Sequence, residues 1–258
     1  MATPYSFRRY RFDWHQWITP AVKTLVIACT AVLLVEYLVR LIGGPGAEYA
    51  IFQWLGLVPW AVIHGWLWQP FTYLFLHAGF WHLFWNMLFL WMFGCQVERA
   101  WGQRRFYSYY FLTGVGAGLF TVLVKVLIDP HGFGSAIIPT IGASGAVFGV
   151  ITAAAVLFPN QEVWLFPFPI SIPMKYYAIG MGAIEFFATL NSSGDHIAHI
   201  THLSAIFIGW FYLRRRSVVH RVQDRYSDWK VQRNRRRYEV YVRRHRKKPP
   251  SRPDDWVN

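Results

Sequence analysis

Residues 49–76 read YAIFQWLGLVPWAVIHGWLWQPFTYLFL, a stretch apolar enough to pass for a bilayer-crossing helix, and whether it is one decides the fold. Pro59 and Pro70 interrupt a regular helix, and His64 and Gln69 add polar groups. Trp54, Trp60, Trp66 and Trp68 crowd the same segment, and tryptophan favours the membrane–water interface. The stretch is therefore read as part of an interfacial loop over residues 43–76, not as a span.

Around it lie six apolar runs: Ile18–Leu41, Phe80–Phe93 (extended upstream by part of Phe71–Ala78), Phe106–Leu127, Ile141–Phe158, Met174–Leu190 and Ile197–Leu213. Several are shorter than the ~20 residues of a usual transmembrane helix. Charge gives an independent test of the number. Arg8, Arg9 and Arg11 precede the first run, and the chain after Leu213 is strongly basic, so both ends are placed in the cytoplasm and the crossings must be even in number. Arg99, Arg104 and Arg105 put the loop between the second and third runs inside as well. The loops after the first, third and fifth are poor in basic residues. The expected architecture is all-α: a cytoplasmic segment over 1–17, a polytopic six-helix membrane bundle over 18–213 with its interfacial first loop, and a basic cytoplasmic tail over 214–258.

Composition agrees with this. Of 258 residues, 54% are hydrophobic and 15% charged, against roughly a quarter charged in soluble domains. The formal net charge is +13, and from Arg214 to Asn258 there are 16 Lys and Arg against five acids. A charge held outside the apolar part points to anionic lipid headgroups as its partner and away from nucleic acid. Cys29 and Cys95 lie in apolar runs without metal-ligand spacing, and no disulfide framework is expected. The first apolar run is too long for a signal peptide and no cleavage site follows it. Glu36 and Arg40, four apart, read as a partly exposed helix ion pair. The compact organisation suggests a bacterial inner membrane.

Polar groups inside a bilayer are expensive, so each one raises a functional question. The second run holds His82 and Asn86 on one helix face, with His77 just upstream; the fourth opens with Gly142-Ala143-Ser144-Gly145; the sixth carries His199 and His202, with His196 at its mouth. Singly, the glycine-flanked serine reads as a helix-packing motif and each histidine as a packing residue. Together they cover every role that acyl transfer needs. A serine hydroxyl needs a base, which a neutral imidazole supplies. A developing oxyanion needs fixed donors, for which the Asn86 amide, the His82 ring and the Ser144 backbone N–H are candidates. Gly142 and Gly145 are expected to let the sixth helix approach. No aspartate lies in the fourth or sixth run to complete a triad, so a dyad is expected. His202 is favoured over His199 because Ala205 and Gly209 follow it at +3 and +7, where small residues would admit the fourth helix.

These residues resemble the rhomboid family of intramembrane serine proteases over about residues 60–213. The resemblance rests on His77-Ala-Gly-Phe-Trp-His82-Leu-Phe-Trp-Asn86, on Gly142-Ala-Ser144-Gly145, and on His202 with Ala205 and Gly209. Glu98-Arg99 with Trp101-Gly102 is similar to the family's turn after the second helix, and Trp68-Gln69-Pro70-Phe71-Thr72-Tyr73 to its membrane-embedded first loop. The resemblance implies Ser144 as nucleophile, His202 as general base, and His82 and Asn86 at the oxyanion. It also implies Phe148 packed on the catalytic histidine, no cofactor, and transmembrane proteins as substrates. Three positions depart from the pattern: Gln69 where arginine is frequent, Phe148 where tyrosine is commoner, and Ser204-Ala205 in place of glycine. The extra methyl of Ala205 is expected to loosen the Ser144–His202 contact. Rival readings are a metal or haem protein, weakened by the absence of HExxH or a nearby carboxylate, a non-catalytic rhomboid-like binder of membrane clients, and a transporter, for which no pair of broken helices with inward acids is visible.

Overall fold

The computed structural model describes residues 17–129, 131, 134–164, 170–191 and 199–215. Arg8, Arg9, Arg11, His196 and the tail beyond residue 215 lie outside them. The chain divides into two compact units, Met1–Phe211 and Tyr212–Asn258, and the helical bundle is the first of them.

Helix α1 (Pro20–Leu55) begins on a proline, whose fixed φ suits the first turn and whose missing N–H costs nothing there. The orphan donors of that turn are satisfied from a distant helix. The Glu98 carboxylate accepts the N–H of Ala21 at 2.9 Å, the N–H of Val22 at 3.1 Å and the hydroxyl of Thr19. Negative charge belongs at a helix N-terminus, and Glu98 is only 4% exposed. Glu98→Gln is therefore expected to destabilise the fold by about 1.5–3 kcal/mol. Thermal unfolding in detergent checks this, and an unchanged transition would show that the carboxylate does not hold α1.

α1 kinks at Gly44 (φ 76°, ψ −177°), ahead of Pro45, and then resumes. Residues 46–55 are thus helical, which corrects the loop expected over 43–76. Beyond Leu55 the prolines act as read: α2 (Pro59–Ile63) and α3 (Gln69–Thr72) are single short turns, followed by a 3₁₀ turn over Tyr73–Phe75. The end of α1 is closed by side chains from this segment. Gln69 Nε2 donates to Gln53 O (2.8 Å), Trp68 Nε1 to Trp54 O (2.9 Å) and Thr72 Oγ1 to Leu55 O (2.5 Å). Gln69 Oε1 accepts the Val58 N–H at 2.9 Å, so this fully buried glutamine has both ends of its amide engaged.

α4 (Phe80–Phe89) continues through a π turn (Leu90–Gly94) into α5 (Cys95–Trp101). The helix does not stop near Phe93; the turn falls at Gly102 (φ 79°), with Glu98 and Arg99 still helical. α6 (Gln103–Ile128), α7 (Ser144–Leu157) and α8 (Met174–Asn191) come next, and the described part of α9 within this unit covers 199–211. A short antiparallel hairpin, Glu162–Trp164 with Ser171–Pro173, precedes α8. α1 and α6 are long and apolar enough to cross a membrane, by length and composition.

α7 sits at the centre, with every residue from Gly145 to Ala154 buried. A helix apolar on all sides must be surrounded. It leans on α6, where Tyr109 donates its hydroxyl to Gly149 O at 2.9 Å. The outward faces are apolar too: Leu34 and Leu38 on α1, Trp81 and Trp85 on α4, and Ile184 and Phe187 on α8 are exposed. Surface of that kind is stable against lipid, not water. Two expectations change here. Arg40 pairs with Glu48 at 3.3 Å, because the kink brings the second half of α1 back towards it, while Glu36 is buried and accepts the His77 N–H at 3.4 Å. Gly209 serves α6, not α7: a Cβ there would run into the Tyr109 hydroxyl.

Candidate active site

The approach to α7 is pinned along its length. Leu57 and Thr140 exchange N–H···O bonds of 2.9 Å each. Lys125 Nζ donates to Ile138 O (2.9 Å) and to Thr140 Oγ1 (3.0 Å), and the Gly142 N–H donates to Tyr73 O at 2.9 Å. Gly142 has φ 121°, and a Cβ there would stand 2.8 Å from the His82 ring. Only glycine combines that backbone with that closeness. The glycine thus makes room for His82 and not, as expected, for the last helix. Gly145 does face α9, since its missing Cβ would touch Thr201 and Ala117 at 3.4 Å.

The turn delivers Ser144 as the first residue of α7, where backbone N–H groups have no partner within the helix. Its Oγ lies 2.7 Å from His202 Nε2. The imidazole and the helix that carries it are held by neighbours from α7 and α6. Phe148 stacks on it with centroids 4.4 Å apart and planes at 21°. Next to it, Thr201 shares a 2.6 Å hydroxyl bond with Thr121 of α6. Ala205, one turn on, is fully buried among Ala117 and Phe148. The methyl expected to loosen the contact instead fills this cluster, and Ser144 and His202 remain at hydrogen-bond distance.

Ser144 and His202 open on a cavity of about 390 Å³, whose α4 wall carries His82 and Asn86 among Trp81, Trp85 and Phe89. His82 Nδ1 accepts the Ala78 N–H at 3.2 Å, which leaves its ring proton on Nε2, the edge beside Gly142. Asn86 Nδ2 donates to His82 O at 2.9 Å and has a second N–H to offer. His77 is buried behind His82, ring centroids 5.2 Å apart, and does not line the cavity. Chemically the site holds a hydroxyl on an imidazole acceptor, with N–H groups from α4 and the start of α7 around one space. That is the inventory for nucleophilic attack on a carbonyl.

Sequence reasoning missed Glu185. Its Oε2 lies 2.6 Å from His199 Nδ1 and 3.0 Å from His202 Nδ1. The expectation that no carboxylate stands near these histidines is therefore corrected: the acid comes from α8, outside the two runs searched for one. An acid within an apolar run was the available signal. Among the described residues, Glu185, His199 and His202 are also a group that could hold a metal ion, with donor atoms within 4.8 Å of one another.

Comparison with known proteins identifies relatives of the chain. Residues 64–217, more than half of the chain, match the family model described as the Rhomboid domain. The chain is 32% identical over 148 residues to "Rhomboid protein 1, mitochondrial" of Saccharomyces cerevisiae, a match covering 53% of this chain and 39% of that protein. It is 30% identical over 149 residues to "Putative rhomboid protease YdcA" of Bacillus subtilis, covering 57% of this chain and 67% of that one. With the human "Presenilin-associated rhomboid-like protein, mitochondrial" it shares 27% over 145 residues, covering 53% and 35%.

Proposed function

The chain belongs to the rhomboid family, and from that premise we propose that it is an intramembrane serine endopeptidase using Ser144 and His202 to cut transmembrane helices of single-span proteins. It is a membrane protein; since the relatives include mitochondrial and bacterial proteins, the family supplies the membrane and not the organism. The observation that carries the reading is the 2.7 Å Ser144 Oγ–His202 Nε2 contact at a cavity whose other wall presents His82 and Asn86.

In the proposed topology the six apolar stretches cross the bilayer, with both termini cytoplasmic and the basic tail against anionic headgroups. A substrate helix unwinds at its outer end and enters beside α4 and α8. Ser144 Oγ attacks the scissile carbonyl as His202 Nε2 takes its proton. The oxyanion is met by the Ser144 N–H, the Asn86 amide and His82 Nε2–H. His202 then protonates the leaving amine, and water, deprotonated by the same nitrogen, releases the acyl group from Ser144.

The test uses purified full-length protein in detergent, a single-span reporter and a fluorescent fluorophosphonate. The expected result is covalent labelling and a discrete cleavage product. A folded protein that neither labels nor cleaves overturns the reading in favour of a non-catalytic binder of membrane clients.

A further inference from the structure

Glu185 is an acid in the middle of an apolar helix whose neighbours Ile184, Phe186 and Phe187 face outward. Placing a carboxylate there is expensive, and its side chain is only 10% exposed, so something must offset the cost. Two imidazoles do, both through Nδ1: His199 at 2.6 Å and His202 at 3.0 Å, on the same oxygen, Oε2. The His199 contact has hydrogen-bond geometry. The His202 contact has the distance of an ion pair but lies off the line of a good hydrogen bond in this resting arrangement.

The orientation of His202 gives that second contact its meaning. To accept a proton from Ser144, Nε2 must present its lone pair, so the neutral ring must carry its hydrogen on Nδ1. Nδ1 is the edge that faces Glu185. The other groups around the ring cannot do the same work: Ser144 holds Nε2, Phe148 covers one face, and His82 approaches from α4 across the cavity. A carboxylate against the Nδ1 edge selects the reactive tautomer. It also meets the positive charge the ring takes up when Ser144 gives up its proton.

We infer that Glu185 is a positioning residue for His202, so that Ser144, His202 and Glu185 act together as three side chains from α7, α9 and α8. This rests on the proposed protease activity. Disabling the carboxylate of a serine-protease triad lowers kcat by about 10⁴-fold. Here the contact is longer and shared with His199, so the expected loss is smaller, roughly 10- to 100-fold.

The test compares Glu185→Gln and His199→Ala with the wild type, in the full-length chain, by reporter cleavage, fluorophosphonate labelling rate and thermal unfolding. Glu185→Gln is expected to lower kcat and the labelling rate together, leaving KM and the unfolding temperature near wild type. His199→Ala, which breaks the same α8–α9 tie but leaves the carboxylate beside His202, should lose much less. Equal losses in the two variants, accompanied by equal drops in unfolding temperature, would reduce Glu185 to a helix tie and overturn the inference, as would a wild-type kcat in Glu185→Gln. If Glu185→Gln does not fold, Glu185→Asp keeps the charge one methylene further back and should fall between wild type and the roughly 10- to 100-fold loss expected on removing the charge; a wild-type rate there also overturns it. A metal found in stoichiometric amount, with activity raised by a chelator, would overturn it too and make the cluster an inhibitory metal site. A folded wild type that neither cleaves the reporter nor labels would condemn the protease assignment itself, which separates the two failures.

Discussion

Ser144→Ala is expected to abolish both reporter cleavage and fluorophosphonate labelling, a loss of the order of 10⁶-fold when a serine nucleophile is removed. The other hydroxyl oxygens at the cavity have partners of their own, Thr140 Oγ1 accepting from Lys125 Nζ at 3.0 Å. Thr201 is engaged with Thr121 at 2.6 Å, and Tyr73 donates its hydroxyl to Gly114 O at 2.7 Å. His202→Ala should cost nearly as much, because the two act as one unit. The fold should survive in Ser144→Ala: the hydroxyl's bond to His202 makes a net contribution of about 1 kcal/mol. The backbone that starts α7 is held independently by Gly142 and Thr140. The measurement is labelling and cleavage beside an unfolding curve. Cleavage retained by folded Ser144→Ala would sink the assignment of the nucleophile.

What could be read from the sequence divides by the range of the interactions involved. Hydropathy and helix breakers are local, and they located the stretches that α1, α4, α6, α7, α8 and α9 occupy, as well as the breaks at Pro59 and Pro70. The candidate residues Ser144, His202, His82, Asn86 and Phe148 stand around one space because chemical type and spacing within each segment narrowed the choices. Contacts between segments were not legible. Glu36 and Arg40 have ion-pair spacing, but the kink at Gly44 gives Arg40 to Glu48. Spacing from His202 gives Gly209 to the fourth helix, whereas Tyr109 of α6 is what it admits. The penalty foreseen at Ala205 presumed a contact with no room, whereas Ala117, itself small, faces it. Glu185 shows the limit most clearly, because its partners lie 14 and 17 positions away on another helix and no spacing rule joins them. The continuation of α4 through a π turn to Trp101 was hidden for a different reason. Gly94 and the polar residues after it read as an ending, yet Glu98 is drawn into the helix by its bonds to the start of α1.

Asn86→Ala is expected to lower kcat by about 10²–10³-fold, the 2.7–4 kcal/mol associated with one lost oxyanion donor. The loss should be far short of that in Ser144→Ala, because the Ser144 N–H and His82 Nε2 remain to meet the same charge. In the resting structure Asn86 spends one N–H on His82 O, a carbonyl that also stands at the i−4 position for the helix's own ladder. Removing the amide should therefore disturb α4 little, and the unfolding temperature should stay close to wild type. KM should hardly move, since a donor that matters only when charge develops does not hold the ground-state carbonyl. The discriminating comparison is Asn86→Ala against His82→Ala in kcat, KM and labelling rate. A fall in kcat in both, with KM held, places the oxyanion between α4 and the start of α7. A rise in KM alone in Asn86→Ala would instead make Asn86 a substrate-binding residue and leave charge stabilisation to the α7 backbone and His82.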